Sequence, residues 1–176
     1  MIGRFAFALA LAVLPTPLFA QNAPVPSITA YPGTKVYREA SKGLDRTTFD
    51  LPGLKGVWRP KTVEGTRRWT VYQGPRGTSG FAVFQHYRAQ AIAAGFKTVA
   101  TCSRKTCPSM LLNGLGANGE VFGPMAVAGD GSIEDTHYLV ARRVRDDAID
   151  ELRIAVRGPV LSVALVDMVS RERPTP

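Results

Sequence analysis

The run from Gly77 to Cys107, GTSGFAVFQHYRAQAIAAGFKTVATCSRKTC, limits what this chain can fold into more than any other. Val83, Phe84, Tyr87, Ala91 and Ala94 recur at the helical period on one face, with Phe81 and Ile92 at its edge. Gln85, His86, Ala89 and Gln90 fall on the other side. Thr78 and Ser79 each offer a hydroxyl that can accept from the free amides of a first turn, so the helix starts there. Gly95 stands where a left-handed residue ends a helix, and Phe96 can fold back against the last turn. Phe96 to Thr101 is short, β-branched and flanked by turn signals, which predicts a strand. The remaining strands then have to be arranged around this helix–strand unit.

Cys102 and Cys107, the two cysteines of the chain, flank the loop that ends this strand. In an exported chain such a pair predicts a disulfide. Closing so short a loop stabilises by about 2 kcal/mol through the entropy removed from the unfolded chain. A redox role favours C-x-x-C spacing, and a metal site needs more Cys or His nearby than this sequence offers. No cofactor or metal is expected.

Export is read from residues 1–20. Arg4 supplies the positive start, Phe5 to Leu14 is an apolar run, and Leu18-Phe19-Ala20 ends in a small residue before Gln21. This is the pattern of a secretory signal peptide with cleavage after Ala20, too short to span a bilayer. No cysteine near that site suggests a lipid anchor, and no later stretch is apolar and long enough to cross a membrane. A periplasmic or secreted product of 156 residues follows, enough for one domain with a core. The leader removes one arginine from a net charge of +8, leaving +7. A basic exported protein is drawn to anionic envelope components, and nucleic acid is excluded as a partner because an exported protein rarely meets it. A simply solvated basic surface is the ordinary alternative.

Residues 21–30 are polar and proline-broken, a tether. The domain is expected over 31–170, with a polar tail over 171–176. Tyr31-Pro32-Gly33 reads as a turn. Lys35 to Ala40 and Thr47 to Leu51 read as two strands joined at Ser41-Lys42-Gly43. Pro52 to Pro60 reads as a loop, and Thr62 to Tyr72 as a strand with a turn or bulge at Glu64-Gly65. Residues 108–135 are glycine-rich and lack periodicity, so they read either as a long functional loop or as short unassigned pieces such as Met110-Leu111-Leu112 and Val121-Phe122. Three strands close the chain: His137 to Val144, Glu151 to Arg157 and Val160 to Val169. Both faces of the last are largely apolar, which places it centrally. The predicted fold is α+β, an antiparallel sheet of five or six strands with one main amphipathic helix on a face.

Several motifs fail their context. Gly114 to Gly119 spells G-x-G-x-x-G but follows a cysteine loop and carries Asn-Gly turn signals, unlike a dinucleotide site between strand and helix. Gly77 to Gly80 lacks the second glycine of a nucleophile elbow, where Phe81 stands. Glu134-Asp135 and Asp146-Asp147 are not at calcium-loop spacing. His86 falls on the polar side of the helix, and His137 opens a strand beside Asp135. An acid–base pair at His137 is conceivable, but no serine or cysteine lies close by in a recognised arrangement. Arg143 with Arg145, and Arg153 with Arg157, have even spacing on adjacent strands, so each pair can line one face. Together with Arg67 and Arg68 they form a possible anion-binding strip. They serve equally as edge-strand charges against aggregation, the reading slightly preferred on the sequence.

The ordered pieces Tyr31-Pro32-Gly33, Val63-Glu64-Gly65, Trp69-Thr70-Val71-Tyr72, Val83-Phe84 with Tyr87, Ala94-Gly95-Phe96, Cys102 and His137 to Arg142 resemble a family of bacterial envelope domains of unknown function. Members often precede an OmpA-like peptidoglycan-binding module. The resemblance runs over residues 28 to 169 and implies an envelope address and a fold shape, but no catalytic residues. No such module is expected after Val169, so a stand-alone domain is anticipated. The expectation is therefore a non-enzymatic binding or scaffolding domain for an anionic envelope component or another envelope protein. The rival is a small periplasmic hydrolase using His137 and the 108–135 loop.

Overall fold

The computed structural model describes residues 28–53, 57–103, 106–107, 135–158 and 163–173. The expected leader, the tether before Ile28, and the glycine-rich segment 108–134 with its G-x-G-x-x-G lie outside the described residues. Seven elements follow in chain order: β1 Lys35–Pro52, β2 Trp58–Gln73, α1 Gly80–Ala93, β3 Lys97–Ser103, β4 Thr136–Val144, β5 Ala148–Arg157 and β6 Val163–Glu172. Every neighbouring pair is antiparallel, in the spatial order β1-β2-β6-β5-β4-β3.

The helix forms where its period and caps say. Ser79 accepts the Ala82 amide, and the last turn closes through Gly95 N–H to Ile92 and Phe96 N–H to Ala91. Gly95 takes φ +83°, a backbone state that a side chain disfavours. Val83, Phe84, Tyr87 and Ala91 are buried over β4 and β5, whereas Phe81 and Ile92 at the edge stay half exposed. Each large buried side chain contributes about 1.5–3 kcal/mol relative to water. Residues 28–30, expected as the end of a tether, lie along the helix instead, and Tyr31 joins them there. Thr29 exchanges three hydrogen bonds with the Gln90 amide, and the Tyr31 N–H donates to Tyr87 Oη.

Alternation sorts the sheet into two faces. Tyr72, Leu139, Leu152, Ile154 and Val166 face the helix, and Trp69, Val71, Tyr138, Val140 and Leu165 face away. β6, apolar on both sides, is central, as the sequence predicts.

The back face is covered by the chain's own first hairpin. β1 is one strand of 18 residues, not two strands with a loop at Ser41 to Gly43. The register slips between Lys42 and Leu44, so Gly43 is absorbed as a bulge and pairing continues. β2 likewise begins at Trp58, inside the stretch expected as a loop. Pro60 is tolerated there because β2 pairs with β6 only from Thr66 onward, leaving this half with a neighbour on one side. At Gly65 β2 passes so close to β6 that a Cβ would sit 2.3 Å from the Ser170 carbonyl oxygen. From that point the outer half of the hairpin curls over the back face. Phe49 and Val63 join its core, Trp58 meets the Tyr138 ring edge-on, and Tyr138 Oη accepts the Asp50 N–H at 3.1 Å.

The Cys102–Cys107 disulfide is formed, with both sulfurs in that same back-face core. It ties the end of β3, an edge strand, to the loop that follows. The result is a single α+β domain in which helix, sheet and curled hairpin stack.

Candidate functional site

The helix covers β4 and β5 and reaches only the near side of β6. Over β2, β6 and the adjoining part of β1 the same face is left with an open cleft of about 550 Å³. Its floor is Tyr72, Leu152, Val166 and Met168, apolar side chains that belong to the helix-side core. Glu39, Ser41, Arg68 and Thr70 supply polar groups, and Ile28, in the segment before Tyr31, lines it as well. A concavity of this volume, where an apolar floor meets polar and charged groups, can receive a small amphiphilic molecule.

The six arginines singled out in the sequence do not form one strip but divide between the two faces of the sheet. Arg67 and Arg68 are neighbours on a strand, so they point to opposite faces. Arg67 is buried on the back face, where its Nε and Nη2 each lie 3.0 Å from the carboxylate of Asp167 and its Nη1 lies 3.1 Å from Asp45. Burial opposes its charge, but these carboxylates outweigh that and raise its pKa. Arg153 binds the same Asp167, donates to the Thr48 carbonyl and lies 4.9 Å over the Phe49 ring. Arg157 shares this face by register and is also engaged.

On the helix face, Arg143 and Arg145 converge on Asp150, which also accepts the Ser170 hydroxyl. Burial alone would raise the Asp150 pKa, but the Ser170 hydroxyl and the two guanidinium groups hold it below the ordinary value. Arg143 further donates to the Ala94 carbonyl, placing a cation on the negative end of the helix. Elsewhere on the back face, Arg142, Lys61 and Arg171 surround the buried Glu151. Arg68 differs from Arg67, Arg143, Arg145, Arg153 and Arg157. Among the described residues its side chain makes no ion pair or hydrogen bond, and it lines the cleft.

His137 does find an acid and a hydroxyl. Its Nε2 lies 3.1 Å from Asp135 Oδ1 and its Nδ1 lies 3.0 Å from Ser103 Oγ, a serine 34 positions away that β3–β4 pairing sets opposite it. Sequence proximity gives no hint of Ser103. The signal that could have found it is the pairing of the two strands flanking the glycine-rich segment. Order and distance resemble a serine–histidine–aspartate array, but its surroundings do not suit attack on a substrate. His137 keeps only 2 % of its surface, stacked against Phe84 and tilted against Phe81. The Ser103 N–H, which could otherwise face an oxyanion, already donates to Thr106 Oγ1. Asp135 is wedged between two glycines. Its Oδ2 accepts the Gly80 N–H at 2.7 Å and its carbonyl accepts the Gly158 N–H, and a Cβ at either glycine would collide with it. The array fastens the helix N-terminus to the ends of β3 and β4.

Among the described residues no three Cys, His, Asp or Glu side chains converge as metal ligands, and no helix is long and apolar enough to cross a membrane. No protein-family model and no curated protein matches the chain.

Proposed function

We propose that the chain is an exported cell-envelope domain that binds a small amphiphile in the cleft between β1, β2, β5 and β6. The single observation behind this is Arg68: a guanidinium with no partner among the described residues, set beside an apolar floor in a chain whose other candidate arginines are engaged. An apolar body fits over Tyr72, Val166 and Met168, and an acidic group fits against Arg68. The surplus of basic residues favours anionic partners at long range. The leader-like residues 1–20 and the resemblance to envelope domains supply the address, periplasmic or secreted. Hydrolysis at His137 is the weaker reading, because His137 is buried against Phe81 and Phe84 and the Ser103 N–H already donates to Thr106 Oγ1.

A single-chain alkyl phosphate, titrated below its micellar concentration and followed by native mass spectrometry, tests this reading. Saturable binding at one site is expected, weakened about tenfold or more by Arg68→Glu and lost with Thr70→Trp, which fills the cleft. Absence of saturable binding to the unmodified protein overturns it. Export is checked by the N-terminal residue of the protein recovered outside the cytoplasm, expected to be Gln21.

A further inference from the structure

We propose that the cleft selects a zwitterionic head group, with a phosphate on Arg68 and a primary amine on Glu39; this rests on the binding reading above. The β1–β2 register puts Ser41 opposite Arg68 and Glu39 opposite Thr70. Glu39 and Arg68 are therefore diagonal neighbours on one face, with backbones about 7–8 Å apart. Among the described residues neither side chain makes an ion pair or hydrogen bond, with the other or with anything else. Both line the cleft, so an anion and a cation stand open on neighbouring strands beside an apolar floor.

A ligand with only an acid group would meet Arg68 but leave Glu39 as a like-charged neighbour. A phosphoethanolamine head, whose phosphate and amine are two carbons apart, satisfies both. The guanidinium takes phosphate oxygens through paired N–H donors. The ammonium brings three N–H donors to the carboxylate, which a quaternary choline head lacks. The apolar floor then holds one acyl chain, and Met168, unbranched and polarizable, adapts to it. The ligand class is a monoacyl phospholipid with an ethanolamine head.

The test uses protein expressed with its leader and recovered after export. It is titrated with three monoacyl phospholipids of one chain length bearing ethanolamine, choline or glycerol heads, each below its aggregation concentration. The ethanolamine lipid is expected to bind about tenfold more tightly than the others. Glu39→Gln should abolish that preference while binding persists, and Arg68→Gln should weaken all three. Equal affinity for the three heads, or a preference that survives Glu39→Gln, overturns the head-group inference and leaves the binding reading standing. No saturable binding of any of the three overturns the head-group inference, and the binding reading falls with it when the alkyl phosphate also fails to bind.

Discussion

Arg67 and Asp167 form a bidentate pair on the covered back face of the sheet, Nε to Oδ1 and Nη2 to Oδ2, both at 3.0 Å, across 100 residues of sequence. Asp167 also receives Arg153, which reaches on to the Thr48 carbonyl of the curled hairpin. One carboxylate thus joins β2, β5 and β6 beneath the strand that covers them. Removing it leaves two guanidinium groups buried, Arg67 with Asp45 and Arg153 with the Thr48 carbonyl and the nearby Asp50.

Asp167→Asn should therefore destabilise by about 3–5 kcal/mol, the usual consequence of breaking a buried ion pair from one side. Urea unfolding reads this as a lower midpoint with an unchanged slope. A loss under about 1 kcal/mol would mean that the pair is as weak as an exposed one.

Much of this arrangement is written in local sequence, and some of it is not. The helix, its Ser79 cap, the Gly95 stop and the Cys102–Cys107 bridge depend on residues a few positions apart, so period and spacing suffice. The sequence divides the first hairpin because Ser41-Lys42-Gly43 and Pro52 to Pro60 carry turn residues. Long-range pairing overrides those propensities by absorbing Gly43 as a bulge and placing Pro60 where one neighbour is missing. The arginines needed strand neighbours and register, which composition does not contain. One signal was present: Arg67 has the parity of Trp69 and Val71, and Asp167 that of Val163 and Leu165, which puts a cation and an acid on apolar faces. The cleft depends on where the helix stops covering the sheet, a property of packing alone.

Asp150 predicts an acid-sensitive stability. Burial raises its pKa, but Ser170, Arg145 and Arg143 lower it further, below the unfolded value of 3.8. As pH falls below about 4, the unfolded chain takes up a proton that the folded chain refuses, so stability present at neutral pH is lost. Asp150→Asn should be less stable at pH 7 and show a flatter decline in urea midpoint on acidification. Parallel declines would contradict this.

Ser103 should behave as a structural hydroxyl. A fluorophosphonate probe is expected to leave the intact mass of the protein unchanged, and Ser103→Ala should cost about 0.5–1.5 kcal/mol, the net worth of one hydrogen bond. A covalent adduct mapped to Ser103 would restore the hydrolytic reading.

Occupancy of the cleft can be watched at Met168, whose side chain lines it. With ¹³C-methyl methionine, and the resonance assigned by its loss in Met168→Leu, a monoacyl phosphate amphiphile is titrated below its aggregation concentration. The Met168 methyl is expected to shift saturably, and in Arg68→Glu to need about tenfold or more amphiphile for the same shift. A Met168 signal that does not move while the amphiphile binds, or moves equally in Arg68→Glu, would contradict binding at this cleft.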